Sequence, residues 1–434
     1  MTYWCQWAWL PSGVAPNIAL TVHEGRFTEV RPAAAPEPGD EVLRGLTLPG
    51  MANAHSHAFH RALRGRTGQR GTFWSWRERM YQIAEQLDPD TYHRLARAAY
   101  GEMVQAGFTC VGEFHYLHHP PGGGRYTDPN AMSAALAQAA ADAGIRLTLL
   151  DTCYLRGGFG QPVQGVQHRY ADADVHDWQQ RVEQFRPGEN VRTGAALHSV
   201  RAVPAESIPA VAEWARGKPL HVHLSEQPAE NTGCAEAHGC TPAELLDSRG
   251  ALGPSTTAVH ATHLTEHDIT LLGSTGTQVC ACPTTEADLA DGIGPTAALA
   301  RAGSPLSVGS DGHTVIDPFA EIHALEAHQR LATRTRGHFD PAEQLAAGTR
   351  GHRALGWHDA GRLEAGARAD LVTITLDHPR TAGVPPEAAP AAATAADVRH
   401  VVVDGRPVVH EGTHRHHDVS QELQQALAEL ETPR

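Results

Sequence analysis

Two histidines one residue apart, His55-Ser56-His57, end an apolar run that begins at Leu46 and passes through Pro49-Gly50. In an extended strand alternate side chains share a face, so both imidazoles project the same way and can meet one cation. With 29 histidines in 434 residues, pairs such as His118-His119 and His221-Val222-His223 arise by composition alone. What gives the first pair weight is its company. Other short apolar runs end on Glu113-Phe-His115-Tyr116, His198-Ser-Val-Arg201, His223-Leu-Ser-Glu226, His260, Thr284-Thr-Glu286 and Ser310-Asp311.

A hydrolytic metal centre needs a few nitrogen or oxygen ligands and one position left open for water. His55, His57, His223 and Asp311 make such a set, which iron, manganese or zinc would all suit. Glu226, three residues past His223, is then placed to act as an acid or base over a substrate. His260 is placed to polarise the group under attack, and Asp311 to take the proton of the water. His221 and His263, one alternation away, read as core or supporting histidines. Lys218 is the only lysine and lies at the start of a strand, so no lysine stands where a carbamate could bridge two metals. One metal per chain is expected.

Eight elements must bring these groups together. Apolar strands are predicted over 46–57, 108–116, 145–154, 191–200, 219–226, 256–264, 277–286 and 305–312. Helices fit between them, opened by Asp88-Pro89, Asp128-Pro129, Pro204 and Asp317-Pro318. The alternation predicts an α/β chain with a (β/α)8 TIM-type barrel, in which chemistry gathers at the C-terminal ends of the strands. Residues 3–10, 18–31, 370–376 and 399–410 are strand-only sequence, too short at either end to close a core. The expected organisation is therefore a small composite β-sandwich from both chain ends (1–48 plus 362–412), a barrel (49–361) and a C-terminal helix (413–434).

A formal charge of −14 and the absence of any basic run exclude a nucleic-acid surface and point to a small-molecule partner. Seven scattered cysteines resemble no secreted disulfide framework. No run of about 18 apolar residues occurs, and the first residues lack the basic and apolar regions of a secretory signal. A soluble cytoplasmic protein without membrane partners is expected.

The motifs His55-x-His57, His223-x-x-Glu226, His260 and Ser310-Asp311, with the tail Gly361-Arg-Leu-Glu-Ala-Gly366-Ala-Arg-Ala-Asp370, resemble the amidohydrolase superfamily and its mononuclear deaminase-type site. The stretches from Pro49 to Arg61, Phe73-Trp-Ser-Trp76-Arg77 and Glu113-Phe-His-Tyr116 are more narrowly similar to the formimidoylglutamate deiminase family. That resemblance implies hydrolysis of N-formimidoyl-L-glutamate in histidine degradation, one zinc ion per chain and a homodimer. It implies zinc ligation by His55, His57, His223 and Asp311, a proton shuttle at Glu226 and an electrophilic histidine at His260. Arg77, Tyr116, His198 and Arg201 match its substrate-binding positions, two arginines being suited to a dianion. His60 stands where the family typically has glutamine, and loses the paired donor and acceptor of an amide. An aminohydrolase acting on another amidine or a heterocycle such as guanine is the other reading.

Overall fold

The computed structural model describes residues 1–66 and 73–431. Four strands open the chain: β1 (Thr2–Leu10), β2 (Gly13–His23), β3 (Arg26–Pro32) and β4 (Glu41–Pro49). Eight more follow: β5 (Met51–Ser56), β6 (Phe108–His115), β7 (Arg146–Cys153), β8 (Val191–Leu197), β9 (Leu220–Leu224), β10 (Thr256–His260), β11 (Gln278–Ala281) and β12 (Leu306–Val308). The last four are β13 (Leu371–Ile374), β14 (Val398–Val403), β15 (Arg406–His410) and β16 (Thr413–His414).

Strands β5 to β12 pair in sequence order, every pair parallel, with helices in the connections. The ring is drawn shut by a bridge between Ser56 and Asp311, in which the Asp311 N–H donates to the His55 carbonyl at 3.0 Å. This is the expected barrel. Every residue of β6 and β7 is buried, because parallel strands have helices on one face and the barrel interior on the other. The chain ends form a second eight-stranded sheet in the order β16-β15-β14-β13-β4-β1-β2-β3, so β4 and β13 join the two ends.

Three strand predictions change in detail. The run 46–57 is two strands: β4 belongs to the second sheet and β5 to the barrel, with Gly50 between them. A Cβ on Gly50 would lie 2.4 Å from Thr109 Oγ1, so only glycine lets the chain cross this close to β6. The run 277–286 stops as a strand at Ala281, and Pro283–Asp288 is a helix, because Pro283 has no N–H for a ladder and a φ suited to a first helical turn. The run 305–312 is a strand only over Leu306–Val308. The predicted helices stand at Pro89–Ala106, Ala131–Ala143, Ile208–Trp214 and Pro318–Thr333. Asp88 caps the first by accepting from Thr91 N at 2.8 Å, with the Thr91 hydroxyl closing the box. The terminal helix Val419–Glu431 packs Val419 and Leu423 on Ala98; residues 432–434 of the predicted segment lie outside the described residues.

The second sheet is tied to the N-terminal end of the barrel by a buried ion cluster. Arg146, fully buried at the start of β7, donates to Asp370 with both terminal nitrogens and to Asp404 at 2.9 Å. Arg368 also holds Asp404, at 2.7 Å, and the Trp357 ring lies against Arg146, Arg192 and Arg368. All seven cysteines are free thiols. Among the described residues no helix is long and apolar enough to cross a membrane.

Candidate active site

Of the eleven side chains singled out from the sequence, ten line one cavity at the C-terminal end of the barrel, and the remaining one, His55, is fully buried. Strand periodicity delivers His55 and His57 to the same side of β5, as expected, and β9 presents His223 across from them. His223 Nε2 faces His55 Nε2 at 3.2 Å. Asp311 Oδ1 stands 3.3 Å from His55 Nε2 and 3.4 Å from His57 Nε2.

Carbonyl groups set the tautomers. His57 Nδ1–H donates to the Phe114 carbonyl and His223 Nδ1–H to the His198 carbonyl, each at 2.9 Å, so both Nε2 lone pairs point inward. Burial lowers His55 to about 3 and His57 to about 4, and holds His223 well below the ordinary imidazole range. Burial would raise the Asp311 carboxyl, but the hydrogen bond from His55 and the nearby imidazoles keep it well below its usual value. Three imidazoles held below their ordinary range and a carboxylate held below its own, His55, His57 and His223 having ligand atoms within 4.8 Å of one another and Asp311 lying against His55 and His57, fit a divalent cation with N/O preference.

The loops are built tightly to hold this set. A Cβ on Gly309 would lie 2.8 Å from both Cβ and the carbonyl oxygen of His55, so any side chain there would displace the strand that carries His55. Asn53 clamps β5 to the loop carrying Asp311, donating to Ser310 Oγ at 2.6 Å and accepting from Ser310 N at 2.9 Å. Glu113 accepts from Ala58 N at 2.7 Å and from Ser56 Oγ at 3.0 Å, which fixes the turn on either side of His57. Ser225, His260, Ala261 and Asp311 all have positive φ, backbone strain concentrated at the mouth of the barrel.

Over the cluster, His260 Nε2 lies 4.0 Å from Glu226 Oε1 and 3.9 Å from Asp311 Oδ2. Burial raises the Glu226 carboxyl; His260 is raised well above its ordinary value, the Glu226 carboxylate and the other acids outweighing its burial. Both groups are thus shifted toward holding a proton, which suits a proton-transfer site. Farther out, His60 Nε2 and the Tyr116 hydroxyl share a hydrogen bond of 2.9 Å. The Arg77 guanidinium carbon lies 5.5 Å from the Tyr81 ring centre, and Arg201 Nε donates to Glu230 at 3.3 Å. Lys218 packs on Trp214 and His221 bonds the Ala354 carbonyl, both away from the cavity as read from the sequence.

Sequence reasoning gave no role to Glu230, buried behind Arg201, or to Gln167, which donates to Tyr154 Oη at 3.2 Å in the cavity wall. Both sit on connections whose sequence has no strand-end signature. Asn53 was visible only as part of the β5 run.

This barrel and site define a class, and the chain belongs to the amidohydrolase family, whose pattern matches residues 46–408. It is an enzyme of the deaminase kind within that family. The chain is 36% identical to formimidoylglutamate deiminase from Pseudomonas aeruginosa over 94% of both chains. It is 30% identical to 8-oxoguanine deaminase from the same organism, over 84% of this chain and 83% of the relative. A crystal structure of an amidohydrolase from Brucella melitensis superposes with a TM-score of 0.91 at 31% identity, covering 99% of each chain. An adenosine deaminase from Xanthomonas campestris, solved with bound zinc, shares the fold with a TM-score of 0.85 at 24% identity, over 99% of this chain and 97% of the other.

Proposed function

We propose that the chain hydrolyses N-formimidoyl-L-glutamate to N-formyl-L-glutamate and ammonia in histidine degradation, acting in the cytoplasm as a homodimer with one zinc ion per chain. The observation that carries the reading is the pair Arg77 and Arg201 in the wall of the cavity above the imidazole–carboxylate cluster. In a protein of formal charge −14, two guanidinium groups in one cavity suit a ligand with two carboxylates. The likeness to formimidoylglutamate deiminase supports the same substrate.

His55, His57, His223 and Asp311 would hold the zinc, whose positive charge makes water nucleophilic near neutral pH. Asp311, with Oδ2 turned to the cavity, accepts the first proton of the water as its oxygen bonds to the formimidoyl carbon. Glu226, whose carboxyl is raised by burial, gives a proton to the imino nitrogen, and His260 donates a hydrogen bond to the oxygen bound to that carbon. As the C–N bond breaks, Glu226 passes the remaining hydroxyl proton to the departing nitrogen, which leaves as ammonia, and the proton on Asp311 restores Glu226. Tyr116, His60 and His198 line the substrate side of the cavity and orient the carboxylates with the two arginines.

A second reading, deamination of a heterocycle such as guanine, draws on four tyrosines in the cavity wall, Tyr81, Tyr116, Tyr154 and Tyr170, and on the 8-oxoguanine deaminase relative. Ammonia release by the zinc-loaded protein discriminates the two, with N-formimidoyl-L-glutamate, N-formimidoyl-L-aspartate and guanine compared side by side. Turnover of the first in strong preference is expected. Turnover of guanine alone would replace the proposal with the second reading.

A further inference from the structure

One strand-end group noted in the sequence, Glu286 of Thr284-Thr-Glu286, has no part in the chemistry above, yet it lies directly behind His260. We propose that Glu286 is a positioning residue, its carboxylate fixing the ring orientation and tautomer of His260. One oxygen, Glu286 Oε1, accepts the Cys282 backbone N–H at 2.8 Å and stands 3.4 Å from His260 Nδ1. Both side chains are buried, Glu286 at 4% and His260 at 2% exposure, so water is not available to replace either partner. The backbone bond to Cys282 anchors the carboxylate in the first turn of the helix Pro283–Asp288.

His260 needs such an anchor. It ends β10 with φ of +67°, so its ring direction is not the one a relaxed strand would give. With Nδ1–H donated to Glu286, the ring turns Nε2 toward Glu226, Asp311 and the cavity. The helix that replaces the end of the predicted seventh strand is what makes this possible, since it folds Glu286 back onto His260.

The donor atoms of His260, Cys282 and Glu286 also lie within 4.8 Å of one another, the spacing of a possible cation site. Burial pushes the Cys282 thiol well above its ordinary range, and Glu286 Oε1 already accepts a backbone N–H, so the geometry favours positioning over ligation.

The inference rests on His260 acting on the substrate as proposed above, and the test separates the two. Glu286→Ala and Glu286→Gln would be prepared as full-length zinc-loaded protein, with metal content, kcat and KM for ammonia release from N-formimidoyl-L-glutamate, and 15N-histidine NMR measured on each. His260→Asn assigns the His260 resonances by their loss. In Glu286→Ala kcat is expected to fall about 10–100-fold, the usual cost of removing an outer partner of a site histidine, with KM within about two-fold and zinc retained. Glu286→Gln, whose amide oxygen still accepts both N–H groups, is expected to keep most of the rate. The protonated-type Nδ1 signal of His260 should be present in the parent and Glu286→Gln and lost in Glu286→Ala. An unchanged Nδ1 signal in Glu286→Ala, a change in KM alone, or two zinc ions per parent chain would each overturn the proposal. A parent that releases no ammonia from the amidine would sink the substrate reading, and the NMR comparison would still decide the role of Glu286.

Discussion

Replacing Arg146 by alanine should destabilise the fold severely while leaving the chemistry intact. Arg146 is fully buried and donates to Asp370 through both terminal nitrogens. Its second partner, Asp404, keeps Arg368 at 2.7 Å, so the group left without a cation is Asp370, itself fully buried. Removing one partner of a buried pair costs about 3–5 kcal/mol, because the survivor remains charged in a low dielectric. With an unfolding entropy of about 2.1 cal/mol/K per residue, 434 residues give roughly 0.9 kcal/mol/K, so Tm falls by about 3–6 °C.

The pH dependence carries a sign. Burial would raise the Asp370 carboxyl, but Arg146 holds it below its usual value, so in the parent its stabilisation is present above about pH 3.9 and lost only as pH falls through the lower folded value. Without Arg146, burial raises the carboxyl, and the cost is greatest at neutral pH and vanishes as pH falls toward about 3.9. The Tm gap between parent and Arg146→Ala should therefore narrow on acidification. Adding Asp370→Asn, which still accepts the Asp404 N–H, should recover most of the loss at pH 7. Calorimetry across pH 5–8 reads all three quantities. A loss below about 1 kcal/mol, or no recovery in the double variant, would refute the account of the cluster as a desolvated ion pair.

Four further outcomes follow from the site. Gly309→Ala should push His55 off the ligand set and weaken zinc affinity by about 10–100-fold, measured by competition with a chelator; undiminished affinity would mean β5 has more room than the 2.8 Å approach allows. Burial pushes Glu113 up to about 7, above its unfolded value, so this acid costs stability as pH rises from about 4.3 to 7, and Glu113→Gln should flatten the decline of Tm over that window. Glu226→Gln should cut turnover by about 10²–10⁴-fold with zinc still bound, whereas Arg201→Met should mainly raise KM by roughly 10–100-fold, each read from steady-state ammonia release.

The barrel was legible because eight apolar runs alternating with capped helices leave few ways to close a parallel sheet. The candidate ligands were legible because period-2 alternation fixes which side of a strand His55 and His57 share. The tertiary structure decided what depends on groups distant in sequence. Gly50 reads as part of one continuous strand until Thr109 is seen against it, and only then does the run 46–57 divide between two sheets. Glu286 reads as a strand end until the helix at Pro283 folds it behind His260. Glu230 carries no signal in the sequence until the fold buries it beside Arg201. Sequence periodicity thus determined which residues face inward and which chemistry they carry. The tautomers, the protonation of buried acids and the partners that aim each ring depend on burial and long-range contacts, and only the folded chain sets those.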